Sequence, residues 1–150
     1  SAQGDRIICD YARQLDGTGN VILSVRQCPD LVPALAVRAA LRAGETTHIE
    51  DAARLRLKES DRLEAVTAEL NKLGAQVEQT PDALIIHGVS RLHGGTCDSH
   101  GDHRIAMMLA VAATCANGVV EVTGAESVAK SYPNFWEDYE QLGGTIARTE

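Results

Sequence analysis

The sequence predicts a mixed α/β fold, of the α/β or α+β kind with short strands, and three observations carry that expectation. Apolar residues recur at spacings of three and four in several stretches, and short extended runs bounded by Gly, Pro and Asp lie between them. The 150 residues suffice for one domain with a real core. The third observation is a repeat: Leu35-Ala36-Val37-Arg38-Ala39, running on to Gly44, returns 74 residues later as Leu109-Ala110-Val111-Ala112-Ala113, running on to Gly118. Each Gly leads into an extended segment, 46–50 and 119–123, then a lysine, Lys58 and Lys130. A helical pattern follows in both, ending at Leu73-Gly74-Ala75 and Leu142-Gly143-Gly144. Agreement in the order of elements makes duplication the better reading, with two units near residues 28–75 and 102–144.

The elements follow in order. Arg6 to Cys9 and Asn20 to Val25 read as strands around the loop Asp16-Gly17-Thr18-Gly19-Asn20. Asp30 is an N-cap candidate, Pro33 falls in the first helical turn, and the helix it opens runs to a C-terminal glycine at Gly44. Leu63, Val66, Leu70 and Leu73 mark an amphipathic helix from about Ser60 to Leu73, closed by Gly74. Ala75–Gln79 and Ala83–His87, parted by Thr80-Pro81-Asp82, read as a β-hairpin, and a further strand lies near Gly95 to Ser99. From Ile105 to Ala116 nearly every side chain is apolar or small, which predicts a helix buried on all sides. A strand from Val119 to Thr123 follows the Asn117-Gly118 turn. Pro133 then opens a last helix with Phe135, Tyr139 and Leu142 on one face.

Composition narrows the function classes. Acidic residues outnumber basic ones by 21 to 14, and the formal charge of −7 repels nucleic acid and anionic membranes. Aromatics at 3% remove the stacking platforms of single-strand binders. No apolar run approaches the roughly 18 residues of a membrane span. Four cysteines without a C-x-x-C pair suit free thiols in a reducing, cytoplasmic compartment. Ser1-Ala2-Gln3 carries neither an initiator Met nor a signal segment and is treated as an artificial end.

Basic side chains normally favour helix C-termini. Here Lys58 and Arg62 straddle one predicted helix start, His103 and Arg104 begin the apolar helix, and Lys130 lies just before the last helix. Cations beside exposed N–H groups make sense where an anion binds, since dipole, donors and guanidinium converge on the same oxygens. The alternative is that each cation pairs with a neighbouring carboxylate such as Glu59, Asp61 or Asp102; four cations in equivalent places of a repeat favour the anion. Glu59 and Lys58, held beside such an anion, have the chemistry of general acids and bases. His93, Cys97, Asp98, His100, Asp102 and His103 crowd one stretch, but their spacing matches no standard metal site.

At these residues the sequence resembles the C-terminal part of the 5-enolpyruvylshikimate-3-phosphate (EPSP) synthase family. The matching pieces are Cys28-Pro29-Asp30 with Pro33, Leu55-Arg56-Leu57-Lys58-Glu59-Ser60-Asp61-Arg62-Leu63, Leu73-Gly74-Ala75, Gly101-Asp102-His103-Arg104-Ile105-Ala106-Met107, and Val128-Ala129-Lys130-Ser131-Tyr132-Pro133. The resemblance implies transfer of the enolpyruvyl group of phosphoenolpyruvate to the 5-hydroxyl of shikimate 3-phosphate, with release of phosphate and no metal or organic cofactor. It implies that Asp30 takes the hydroxyl proton, that Lys58 beside it contacts shikimate 3-phosphate, and that Glu59 exchanges a proton with the phosphoenolpyruvate methylene. Arg62 and Arg104 resemble the pair that grips the phosphoenolpyruvate carboxylate, Lys130 a lysine on its phosphate side, and His103 a residue lining that pocket. The implied architecture is βαβαββ units with helix N-termini facing an interdomain cleft, so residues 1–150 are expected to form part of a C-terminal domain. The N-terminal domain would then be a separate, missing partner, without which the chain is expected to be inactive. Arg54 departs from the Asn or His that the family often has there. A UDP-N-acetylglucosamine enolpyruvyl transferase and a non-catalytic domain of the same fold are the rival readings; Asp102-His103-Arg104 and the intact Lys58–Arg62 motif favour the first.

Overall fold

Alternation of inward apolar and outward polar side chains builds the larger of two sheets. In the computed structural model, which describes residues 10–130 and 134–141 (the side chains of residues 127, 129 and 130 excepted), that sheet has four strands. They are β1 (Val21–Ser24), β2 (Thr46–Glu50), β3 (Gln76–Gln79) and β4 (Leu84–His87), in the spatial order β1-β2-β4-β3. β1 runs parallel to β2, while β4 is antiparallel to both β2 and β3. The register aligns Leu23, Ile49 and Leu84 in one inward row and Thr47, Ile86 and Val77 in the next, all buried. The opposite face carries Ile22, His48, Ile85 and Glu78, and Ile22 is 64% exposed.

The inward face is covered by α2 (Val32–Ala40) and α3 (Arg62–Lys72), and α4 (His103–Cys115) packs against both. The predicted Leu63, Val66, Leu70 and Leu73 stripe is buried throughout. α3 begins at an Asp61 N-cap that accepts from the Glu64 N–H, and Leu73 follows its last turn with Gly74 in the left-handed region at φ 94°. The hairpin β3–β4 forms where the sequence places it. A second, two-stranded sheet pairs β5 (Leu92–Asp98) in parallel with β6 (Ala116–Thr123), and α5 (Phe135–Gln141) closes the described chain. The element order is thus β1-α2-β2-α3-β3-β4, and β5-α4-β6-α5 begins in the same way. Short 3-10 helices stand at Pro29–Leu31, Ala53–Leu57 and Ala125–Lys130.

Several expectations need correction. Residues 10–16 are helical (α1), where the sequence offered only a loop beginning at Asp16. Buried Arg42 explains how the following loop is held: its guanidinium donates to the carbonyls of Leu15, Gly17 and Gly19 and to the Thr47 hydroxyl. Asp30 does not cap α2. It sits within the 3-10 helix Pro29–Leu31, Leu31 occupies the N-cap without a side-chain bond, and the Asp30 carboxylate turns instead to Arg62. α2 also stops at Ala40, four residues short of Gly44. α4 is not buried on all sides, because Val111 is 46% exposed and Thr114 and Cys115 face outward. Asn117-Gly118 is no turn but part of β6: between the pairs His93–Asn117 and Gly95–Val120, two residues, Gly118 and Val119, oppose the single Gly94, so the extra residue is taken up as a bulge. Arg6–Cys9, Pro133 and Leu142 lie outside the described residues.

Candidate active site

Three chain segments meet where α3 and α4 begin. Arg62 is the first residue of α3, His103 and Arg104 are the first two of α4, and Asp30 comes from the 3-10 helix before α2. Lys58 ends the 3-10 helix Ala53–Leu57 in an extended conformation, which turns the chain out of that helix and toward α3. Six of the seven residues singled out from the sequence, Asp30, Lys58, Glu59, Arg62, His103 and Arg104, are brought together; the Lys130 side chain is outside the described residues.

The centre of the cluster is a buried ion pair. Asp102, fully buried, accepts from Arg62 Nε at 2.8 Å and Nη2 at 3.1 Å, from the Ser60 hydroxyl at 2.8 Å, and from the Arg104 backbone N–H at 2.9 Å. One carboxylate therefore caps α4 and fixes the guanidinium at the head of α3. Burial disfavours its ionised form, but the bonds from Arg62 and Ser60 outweigh that, so Asp102 titrates below the ordinary carboxylate range. Arg62, only 2% exposed, also donates to Glu59 and, at 3.0 Å, to Asp30. Burial alone would lower its pKa, and the three carboxylates raise it instead.

Around this centre the groups are accessible. The Asp30 carboxylate, half exposed, lies 3.0 Å from Arg62, 3.9 Å from Lys58 and 3.9 Å from Arg104. Three cations thus share one carboxylate, and the two at 3.9 Å are too far for a full hydrogen bond. Arg104 keeps 38% of its side chain open, which leaves its guanidinium fork free to take a planar anion. Arg62 is the opposite case, with every direction occupied by a protein carboxylate. The sequence weighed anion binding against pairing with neighbouring carboxylates; for Arg62 both Glu59 and Asp102 are partners, whereas Arg104 retains the open geometry.

The crowd of potential metal ligands disperses. Cys97 is buried, its thiol pushed up to about 11 by burial and the nearby Glu69 charge. His100 bonds Glu69 at 2.7 Å, Asp98 accepts from Thr123, and His93 turns to the Gly94 carbonyl. Glu59, Asp102 and His103 do approach within 4.8 Å of one another, but Asp102 has its oxygens on Arg62, Ser60 and the α4 cap.

Sequence reasoning offered Asp102 only as a carboxylate for a neighbouring cation and did not see its tie to Arg62, 40 residues away. The signal was present: a carboxylate at the mouth of an apolar helix cannot stay ionised without a cation, and Arg62 heads the amphipathic helix α3. Ser60 carried no such signal, since nothing in its neighbours reveals a partner 42 residues away.

Comparison with known proteins bears on the family and the fold. A family model described as EPSP synthase (3-phosphoshikimate 1-carboxyvinyltransferase) matches residues 6–139. The chain is similar to the 3-phosphoshikimate 1-carboxyvinyltransferase of Clostridium acetobutylicum, at 48% identity over 97% of this chain and 37% of that relative. It is also similar to that of Clostridium perfringens strain 13, at 52% identity over 88% of this chain and 30% of the relative. An EPSP synthase structure from Acinetobacter baumannii superposes with a TM-score of 0.77 and 36% identity, over 84% of this chain and 30% of the other. The enolpyruvyl transferase NikO from Streptomyces tendae superposes with a TM-score of 0.67 and 26% identity, over 86% of this chain and 29% of the other. The chain thus spans about a third of the length of the curated relatives it matches.

Proposed function

Since the chain belongs to the EPSP synthase family, we propose that it is part of the C-terminal domain of an enzyme that transfers the enolpyruvyl group of phosphoenolpyruvate to the 5-hydroxyl of shikimate 3-phosphate. The observation that carries this reading is the meeting of Lys58, Arg62 and Arg104 on the Asp30 carboxylate at the starts of two helices. A double anion finds guanidinium, ammonium and helix-start N–H groups there, next to two carboxylates able to move protons.

In this reading Arg104 takes the phosphoenolpyruvate carboxylate first, because its fork is open. Arg62 joins it only by giving up Glu59 or Asp30. Exchange of Glu59 for the substrate carboxylate seats the substrate and at the same time releases Glu59 from its cation. Asp30, beside Lys58, accepts the proton of the 5-hydroxyl as that oxygen bonds to the central carbon of phosphoenolpyruvate, and this proton ends on the phosphate that is released. Glu59 supplies a proton to the methylene carbon in the addition step and takes one back from the resulting methyl group as phosphate leaves. Lys58 contacts shikimate 3-phosphate, Lys130 stands on the phosphate side of phosphoenolpyruvate, and His103 lines the pocket. The remaining groups of the site come from the N-terminal domain of the longer protein, so the isolated chain binds and turns over poorly. The enzyme works in the cytoplasm; among the described residues no helix is long and apolar enough to cross a membrane.

The test is phosphate release from phosphoenolpyruvate by the full-length protein, with shikimate 3-phosphate or UDP-N-acetylglucosamine as acceptor. Release with shikimate 3-phosphate alone is expected. Release only with the nucleotide sugar, or none from a folded protein, overturns the assignment.

A further inference from the structure

Arg56 lies outside the cluster around Asp30, yet its guanidinium makes five hydrogen bonds, one more than Arg62. Nε donates to the Pro81 carbonyl at 3.2 Å, and Nη2 donates to the Thr80 carbonyl at 2.6 Å. Nη1 donates to Gln79 Oε1 at 2.9 Å and to both Asp61 oxygens, at 3.2 and 3.0 Å. Three of these partners belong to the end of β3 and the turn that follows it. The fourth, Asp61, is the N-cap of α3.

Arg56 and Asp61 bracket the four residues that carry the chemistry. Leu57, Lys58, Glu59 and Ser60 leave one bonded residue and return to the other, so the Arg56–Asp61 pair closes the loop at its base. On its inner side the loop is tied by Ser60 to Asp102 and by Glu59 to Arg62; on its outer side no other such anchor is found among the described residues, and Leu57 is 88% exposed, an apolar side chain held out in water. A loop of four residues without a fixed base samples many positions for Lys58 and Glu59, and displacement of a reacting group by about 1 Å costs up to about 100-fold in rate. Arginine is suited to the task because its planar fork satisfies several fixed acceptors at once, which an ammonium cannot do.

We infer that Arg56 is a positioning residue, which holds the Lys58–Ser60 loop against the β3–β4 turn so that Glu59 and Lys58 stand at the reacting atoms. This deepens the proposed function and rests on it for the roles of those two residues. It touches no substrate itself.

Arg56→Gln, Arg56→Lys and Asp61→Asn in the full-length enzyme test the inference. Asparagine keeps the α3 cap but loses the charged, two-oxygen partner of Arg56. Arg56→Gln is expected to lower kcat about 10- to 100-fold while both KM values stay within about threefold. Arg56→Lys recovers only part of that loss. Asp61→Asn lowers kcat in the same direction, and the double variant is no worse than Arg56→Gln, because the two residues act as one unit. Hydrogen exchange of a peptide spanning residues 57–61 gives a readout independent of the reaction, and it accelerates about tenfold or more in Arg56→Gln. Unchanged exchange overturns the brace. Faster exchange with unchanged kcat, in an enzyme that uses shikimate 3-phosphate, overturns its role in positioning. If the unaltered enzyme does not use that acceptor, the functional assignment fails, while the exchange result still decides whether Arg56 holds the loop.

Discussion

Asp102 and Arg104 are separated by one residue but serve the site in different ways. Asp102 is wholly internal and bonded on both oxygens, whereas Arg104 is open and loosely paired. Substitution of the two should therefore give different signatures. Arg104→Ala in the full-length enzyme is expected to raise the KM for phosphoenolpyruvate about tenfold or more, because in the proposed reading it removes a bidentate charge-assisted contact to that substrate. The KM for shikimate 3-phosphate should change little, and equal effects on both would sink the assignment. At this scale the sequence was informative about which residues the fold brings together and less so about their partners. Lys58, Glu59, Arg62 and Arg104 could be picked out from motif and helix-start position alone. Arg42, Arg56 and Glu69 could not, because their bonds run to carbonyls and side chains of distant segments, and no local pattern records such contacts.

Among the elements, the helices with a clear stripe were readable to within a residue or two, and the errors fall where local signals compete. α3 lies where Leu63, Val66, Leu70 and Leu73 place it. α2 ends early because Leu41 and Arg42 bond back to carbonyls of the last turn, after which Gly44 turns the chain toward β4. Its N–H donates to the Gly88 carbonyl, and the Gly88 N–H donates to Glu45. That approach leaves no room at Gly88, where an added Cβ would lie 1.8 Å from the Arg42 carbonyl oxygen. Gly88→Ala should therefore destabilise by about 1–3 kcal/mol or more, since backbone has to move. Equilibrium unfolding in urea measures it, and a change within about 0.5 kcal/mol, as at an ordinary surface site, would show that the approach is not required. Asn117-Gly118 misled for a related reason: the dipeptide is the strongest short hairpin signal, yet it also fits a bulge in a strand.

For the molecule as a whole, two ionised carboxylates join α3 to the β5–α4 turn. Glu69 is almost fully buried and accepts from Lys72, from the Asp98 N–H and from His100. Burial works against its ionised form, but those three donors outweigh it, so Glu69, like Asp102, titrates below the usual carboxylate range. A carboxylate depressed in the folded state stabilises fully above its unfolded pKa of about 4, and that contribution is lost as pH falls through the lower folded value. The protein should thus lose stability below about pH 4. Asp102→Asn should cost about 3 kcal/mol at pH 7. It should cost less as pH falls through the depressed range in which the native carboxylate itself takes up a proton; a penalty constant with pH would refute the linkage. The α/β class and the order of helices and strands could be read from the sequence because they rest on local periodicity and on the internal likeness. The cations at their starts pointed to a meeting of α3 and α4, but the packing of α4 across α2 and α3 that brings them together left no local trace.

The bonds that assemble the site also say when in folding it can exist. Arg62 meets Asp102 across 40 residues, Ser60 meets it across 42, and Arg62 meets Asp30 across 32. Contacts of such long sequence separation form only after large loops have closed, and loop closure slows folding. No short subfragment can hold the cluster, and a chain growing from the ribosome cannot complete it until α4 has emerged. Any affinity of this cluster for anions is therefore acquired late, and its appearance would time the closing of these loops.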